Sequence, residues 1–204
     1  MNGLRKEFTT FSIVLIAVAV ALNIGVGQVP RLVGLPLYLD SIGTILVGVL
    51  VGPWAGALTG FLANTVWTLS GLFPQAIAWA GVAAIIGILA GAFGKAGWVK
   101  VWWRAASAGL ITGVVAAVLS APIAAYVFGG VTGNAGTDAI VAAFRAAGND
   151  ALFSNVAQGT MSDPLDKMVS YLIVWAVLMA LPERFKARFA GTAASKPAPR
   201  KKRR

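Results

Sequence analysis

Residues 41–94 read SIGTILVGVLVGPWAGALTGFLANTVWTLSGLFPQAIAWAGVAAIIGILAGAFG, and none of them is Lys, Arg, Asp or Glu. A water-soluble fold cannot leave so long a stretch without solvated charge, so this segment is expected to lie in lipid. Working outward, Asp40 and Lys95 bound the stretch, and a second uncharged run separates Arg104 from Asp138. Over the 204 residues, 58% are apolar and 12% charged. Soluble domains run at about half apolar and about a quarter charged. The composition predicts one all-α membrane domain over residues 1–189.

A helix needs roughly 20 mostly apolar residues to cross the hydrocarbon. Six runs approach this: Phe11–Val26, Leu37–Val51, Trp54–Leu72, Ala76–Phe93, Ala105–Phe128 and Leu165–Leu181. They predict a six-transmembrane-helix bundle. The second run is short, and Gly52-Pro53 makes a tight turn into the third. Arg5-Lys6, an apolar run and Ala17-Val18-Ala19 share features with a cleavable secretory leader, but the apolar run continues past those alanines, which favours a retained first span.

Threading the runs with the N-terminus inside places Arg5, Lys6, Lys95, Lys100, Arg104, Arg184, Lys186, Arg188, Lys196 and the terminal Arg200-Lys201-Lys202-Arg203-Arg204 on the cytoplasmic side, 14 of the 17 basic residues. Arg31, Arg145 and Lys167 face out, with Asp40, Asp138, Asp150, Asp163 and Asp166 on or near the same side. This is the positive-inside bias of a multi-pass cell-membrane protein with both termini cytoplasmic. Residues 190–204 read as a disordered basic cytoplasmic tail, suited to solvent or to anionic head groups.

The formal charge of +10 does not imply a nucleic-acid partner, because the basic residues flank apolar runs or sit in the tail. With no Cys and no His, thiolate metal sites, imidazole bases and His-ligated zinc or haem are excluded. No metal and no cofactor is expected, and no nucleophile, base and oxyanion donor assemble into an enzyme site.

Small residues let helices approach in lipid. Gly52, Gly56 and Gly60 repeat on the third run, Gly87 and Gly91 on the fourth, Gly109 and Gly113 on the fifth, and Ala17 and Ala21 on the first. Polar groups instead gather at the outer ends. Asp40 is expected about one turn into the second helix, roughly 6 Å deep. Asn64, Trp67 and Thr68 lie near the outer end of the third, and Gln75 and Trp79 open the fourth. On the last helix Asp163 and Lys167 are spaced to pair, while Lys167, Tyr171 and Trp175 form one stripe. An interfacial aromatic belt explains Trp79 or Tyr38 singly, but Asp40 and Asn64 sit inside their spans, where polar side chains mark function. Asp40, Asn64, Trp67, Gln75, Trp79, Lys167 and Tyr171 are therefore candidate binding residues for a flat, polar organic solute. Thr137 or Asp138 is expected to cap a helix over Ala139–Ala147 and Asn149 one over Ala151–Gln158, so that 129–163 forms either a lid or a lipid-interface segment.

The chain resembles the substrate-binding S component of energy-coupling factor (ECF) vitamin transporters. The likeness rests on six spans, on Pro36-Leu37-Tyr38-Leu39-Asp40-Ser41-Ile42-Gly43-Thr44, on Gly52-Pro53-x-x-Gly56-x-x-x-Gly60 followed by Asn64, and on Asp166-Lys167 opening a helix that closes at Leu181-Pro182. It covers about Phe11 to Phe189. The resemblance implies capture of a vitamin-like solute at the outer face, and delivery through a membrane coupling subunit and two cytoplasmic ATPases. It implies docking through small residues of the first helix, where Ala17 and Ala21 fit. No Gly-x-x-x-x-Gly-Lys-Ser/Thr loop occurs in the chain, consistent with separate ATPase chains. The competing readings are a stand-alone membrane carrier or sensor of the same fold and, less well supported, a lipid-modifying enzyme using Asp163, Asp166 and Lys167.

Overall fold

A computed structural model describes residues 7–189, which fold as helices and connecting segments with no strand among them. Arg5, Lys6 and the basic 190–204 tail lie outside the described residues. The helices are α1 (Thr10–Val33), α2 (Ile42–Leu50), α3 (Pro53–Leu69), α4 (Ala80–Lys95), α5 (Trp102–Pro122), α6 (Ala135–Ala146), α7 (Ala151–Ala180) and α8 (Glu183–Lys186). A 3-10 segment, Pro74–Trp79, precedes α4, and a π-turn at Ile123–Val127 extends α5. Three stretches are long and apolar enough to cross a membrane: Thr10–Val33, Pro74–Lys95 and Trp102–Val127.

The side chains are distributed inside-out. On α7 the polar Asn155, Gln158, Ser162, Asp163, Asp166, Lys167 and Ser170 are buried, while Phe153, Met161, Leu165, Ile173, Val177 and Met179 are exposed. On α5, Ile111, Val114 and Val118 face outward. So much contiguous apolar surface suits a membrane protein, because water penalises it and hydrocarbon does not.

Glycine sets the packing. A Cβ on Gly56 would meet the Gly87 carbonyl oxygen at 2.7 Å, and one on Gly48 would meet the same atom at 2.8 Å. Here α2, α3 and α4 converge with backbones nearly touching. Gly60 abuts Ala83, and Gly91 abuts Gly52 and Pro53, so α3 and α4 run antiparallel. Gly109 lies against Lys167 and Met168, and Gly113 against Asp163 and Pro164, which makes α5 and α7 antiparallel as well. Such seams gain dispersion and backbone contact where lipid provides no hydrophobic drive.

Several expectations are corrected. The second run is not a membrane-length helix: α2 has nine residues, and the chain before it is irregular. Asp40 therefore precedes its helix instead of lying a turn inside it. The last helix starts at Ala151, not Leu165, and runs 30 residues straight through Pro164. Residues 151–163 are thus its first turns and not part of a separate lid. Asn134, not Thr137 or Asp138, caps α6, its carbonyl accepting from Gly136 N at 3.0 Å. Asp150, not Asn149, caps α7, accepting from Phe153 N at 2.7 Å.

At one end Glu7 accepts from Trp54 N and Ala55 N at 3.0 and 3.1 Å and pairs with Lys95 at 3.3 Å. It thereby supplies the cap that Gly52 cannot give α3. Arg188 stacks on Phe11 at this same end. The opposite end carries α6 and the cavity described next.

Candidate functional site

The nine residues of α2 are buried almost without exception, yet its N-terminus has no side-chain cap of its own. Asn23 of α1 provides one: its carbonyl accepts from Gly43 N at 2.7 Å while its amide donates to Thr44 Oγ1 at 2.8 Å. Upstream, residues 36–40 make no helical hydrogen bonds, and their backbone must find partners elsewhere. Asp166 of α7 accepts from Tyr38 N at 2.9 Å and Leu39 N at 2.7 Å through Oδ1. Asn134 donates to the Leu37 carbonyl at 2.8 Å. Leu39 is held at φ +51, the one positive value outside glycine among the described residues. Strained backbone of this kind marks sites that their surroundings over-determine.

The second oxygen of Asp166 accepts from Lys167 Nζ at 2.5 Å, and Lys167 also reaches Asp40 Oδ1 at 3.3 Å. Asp40 accepts in addition from Ser41 Oγ at 2.7 Å. The Lys167 and Asp166 side chains are 3% and 0% exposed, so the pair is dry. The i,i+4 pair of Asp163 with Lys167 expected from spacing does not form, because Asp166 and Asp40 engage the ammonium.

These groups wall a cavity whose empty volume, counted to its open mouth, is about 840 Å³. Asp40, Asn64, Trp67, Trp79 and Lys167 all line it. Gln75 and Tyr171 do not. Gln75 and Trp79 sit on a 3-10 segment, where three residues per turn leave positions four apart pointing about 120° away from each other. Trp79 turns inward and Gln75 lies against Gly133 instead. Tyr171 is one turn beyond Lys167, buried, its hydroxyl bonded to Thr112 Oγ1 at 3.1 Å. Ala17 and Ala21 are exposed on α1, and Gly25, one turn further, has nothing within 4 Å of a Cβ position.

Sequence reasoning missed other lining residues: Tyr38, Phe73, Thr132, Asn155, Gln158 and the free carboxylate of Asp163. The signal for those on α7 was present. Positions 155, 158, 159, 162, 163, 166, 167 and 170 form a polar stripe at helical spacing, interrupted in the reading only by Pro164. Phe73 belongs to a ring series, Trp67–Phe73–Trp79–Phe128, with centroid separations of 5.6, 6.2 and 5.0 Å across the mouth. Two buried polar atoms of the lining, Trp67 Nε1 and Asn155 Oδ1, have no hydrogen-bond partner. Buried polar atoms are nearly always paired, so these two stand ready to donate to and accept from a guest. Stacking, hydrogen bonding and ion pairing are the chemistry on offer; among the described residues no cluster of acids suited to a metal occurs.

No protein-family model, no curated protein and no solved structure matches this chain.

Proposed function

We propose that the chain is a six-span membrane protein that captures an organic solute in this cavity from the outside of the cell, in the manner of an ECF S component. The observation that carries the reading is the cavity itself: an aromatic and polar chamber, bordered by the non-helical chain before α2, that leaves Trp67 Nε1 and Asn155 Oδ1 unpaired. Non-helical backbone at membrane depth is tolerated where it lines a cavity, as Tyr38, Asp40 and Ser41 do here. On this reading the crossings are α1, the irregular segment with α2, α3, α4, α5 and α7, while α6 lies at the outer surface.

Orientation is supported by charge. Lys95, Lys100, Arg104, Arg184, Lys186 and Arg188 belong to the end opposite the cavity, which the positive-inside bias assigns to the cytoplasm. The exposed seam of Ala17, Ala21 and Gly25 on α1 suits close approach by another membrane helix, and a coupling subunit is the partner proposed for it. Two cytoplasmic ATPases would drive release, with this chain binding and not catalysing. The test is purification of the tagged chain from its native host in mild detergent, followed by mass spectrometry of co-purified proteins and of small molecules released on denaturation. A near-stoichiometric small molecule together with ATPase subunits is expected. A solute without ATPases would favour a stand-alone carrier, and neither would refute the binding role.

A further inference from the structure

The charges around the cavity do not balance. Lys167 is engaged by both Asp166 and Asp40. The Arg31 guanidinium lies over the faces of Phe73 and Trp67, 3.7 and 5.7 Å from their centroids, and lines a smaller adjoining cleft, not the main cavity. Against these two cations stand Asp40, Asp163 and Asp166, and Asp138, held by Thr132, lies near Arg31. Asp163 is the one of these carboxylates left without a partner. It lines the cavity, is 6% exposed, and no hydrogen bond or ion pair joins its carboxylate to any described residue. A buried carboxylate without a partner is costly.

The wall beside it is shaped for the same kind of guest. Asn155, Gly159 and Asp163 succeed one another at four-residue spacing on the cavity face of α7. The free Oδ1 of Asn155 is an acceptor, as is Asp163. Gly159 between them keeps the groove open: a Cβ there would meet Ala117 Cβ at 3.2 Å and Asp163 Oδ2 at 3.3 Å. Facing these acceptors are the rings of Tyr38, Trp67, Phe73 and Trp79, which stack on planar groups and attract cations through their π faces.

We propose that the solute is a cation on an aromatic or otherwise planar frame, with its positively charged nitrogen at Asp163 and a second N–H at Asn155 Oδ1. The proposal rests on the solute-binding reading above and adds the charge class of the substrate. The indole N–H of Trp67 asks in addition for one acceptor on the solute. An anionic solute would bring like charge to Asp163 and Asp40 with no free ammonium to receive it.

Two measurements on the full chain in detergent decide it. First, the molecule released from native-host protein is identified by mass spectrometry; a cation at neutral pH is expected, and an anion or neutral molecule overturns the proposal while leaving the binding role intact. Second, wild type and Asp163→Asn are titrated with benzylammonium, benzyl alcohol and benzoate, reading tryptophan fluorescence from the ring series. Wild type is expected to prefer benzylammonium over the alcohol at least about tenfold and to ignore benzoate. Asp163→Asn is expected to lose about 10- to 100-fold of the benzylammonium affinity, the worth of a charged hydrogen bond, with the alcohol unchanged. A wild type that binds the alcohol as well as the amine, or a monodisperse variant that keeps the preference, overturns the charge assignment alone. Should Asp163→Asn fail to fold, the wild-type preference decides by itself. No released molecule and no binding of any probe overturns the solute-binding reading and this proposal together.

Discussion

Replacing Lys167 with Met isolates what the ion cluster contributes to the fold. The substitution keeps an unbranched apolar stem one atom shorter and removes the ammonium that engages Asp166, a fully buried carboxylate, and Asp40, which is partly open to the cavity. Breaking a buried pair by deleting one member costs about 3–5 kcal/mol, most of it from the stranded charge. Asp40 retains the Ser41 hydroxyl and access to water in the cavity, so the penalty falls chiefly on Asp166. A loss in that range shifts the folding equilibrium by roughly a hundredfold or more. The second substitution Asp166→Asn, made on top of Lys167→Met, removes the stranded charge while its carbonyl still accepts from Tyr38 N and Leu39 N. The double variant is therefore expected to recover at least about half of the loss, a coupling diagnostic of direct interaction. The assay is SDS-induced unfolding in mixed micelles, followed by tryptophan fluorescence, on all members of the cycle. A loss below about 1 kcal/mol for Lys167→Met, or strict additivity in the double variant, would refute the account of the cluster.

Asn64→Ala is expected to weaken binding of the identified solute by roughly 5- to 150-fold in calorimetric titration, with the protein still monodisperse. Gly87→Ala drives a methyl group into the backbone of Gly56 and Ala57 and is expected to destabilise by about 1–3 kcal/mol in the same SDS titration. Gly25→Ala meets open space and, through helix propensity, is expected to be neutral or up to about 1 kcal/mol more stable. Single cysteines at the exposed positions Ala146 and Ala187 are expected to label from outside and only after permeabilisation, respectively. The reverse pattern would invert the proposed orientation.

The helical class and the glycine seams were legible because both are local: an apolar run and a four-residue repeat need no knowledge of the partner helix. Gly56 and Gly87 show this, since each could be named from its own segment and the structure only paired them. Asp40, Asn64 and Lys167 could be picked out because polar groups in apolar runs are conspicuous, and three different elements do bring them to one cavity. The second run misled because hydropathy cannot distinguish a helix from irregular chain. Residues 36–40 stay outside any helix where Asp166 and Asn134, some hundred or more positions away, satisfy backbone groups of Leu37, Tyr38 and Leu39. The α7 stripe was broken at Pro164 by a propensity rule that tertiary packing against Gly113 overrides. Gln75 was grouped with Trp79 by an α-helical spacing that a 3-10 segment does not obey.

The tie between Asp166 and the backbone of Tyr38 and Leu39 also orders the making of the protein. Synthesis delivers residues 35–41 well before α7, and the nine-residue α2 is too short to enter a bilayer as an independent unit. Until Asp166 emerges, two amide groups of this segment lack their final acceptor, so the early chain must wait in water or at the head groups. The hydrogen bonds that hold this segment can therefore be completed only after translation has passed Asp166. A ribosome stalled after α5 would hold a chain with its cavity floor not yet in place, whereas one that has passed Lys167 carries everything needed to close it.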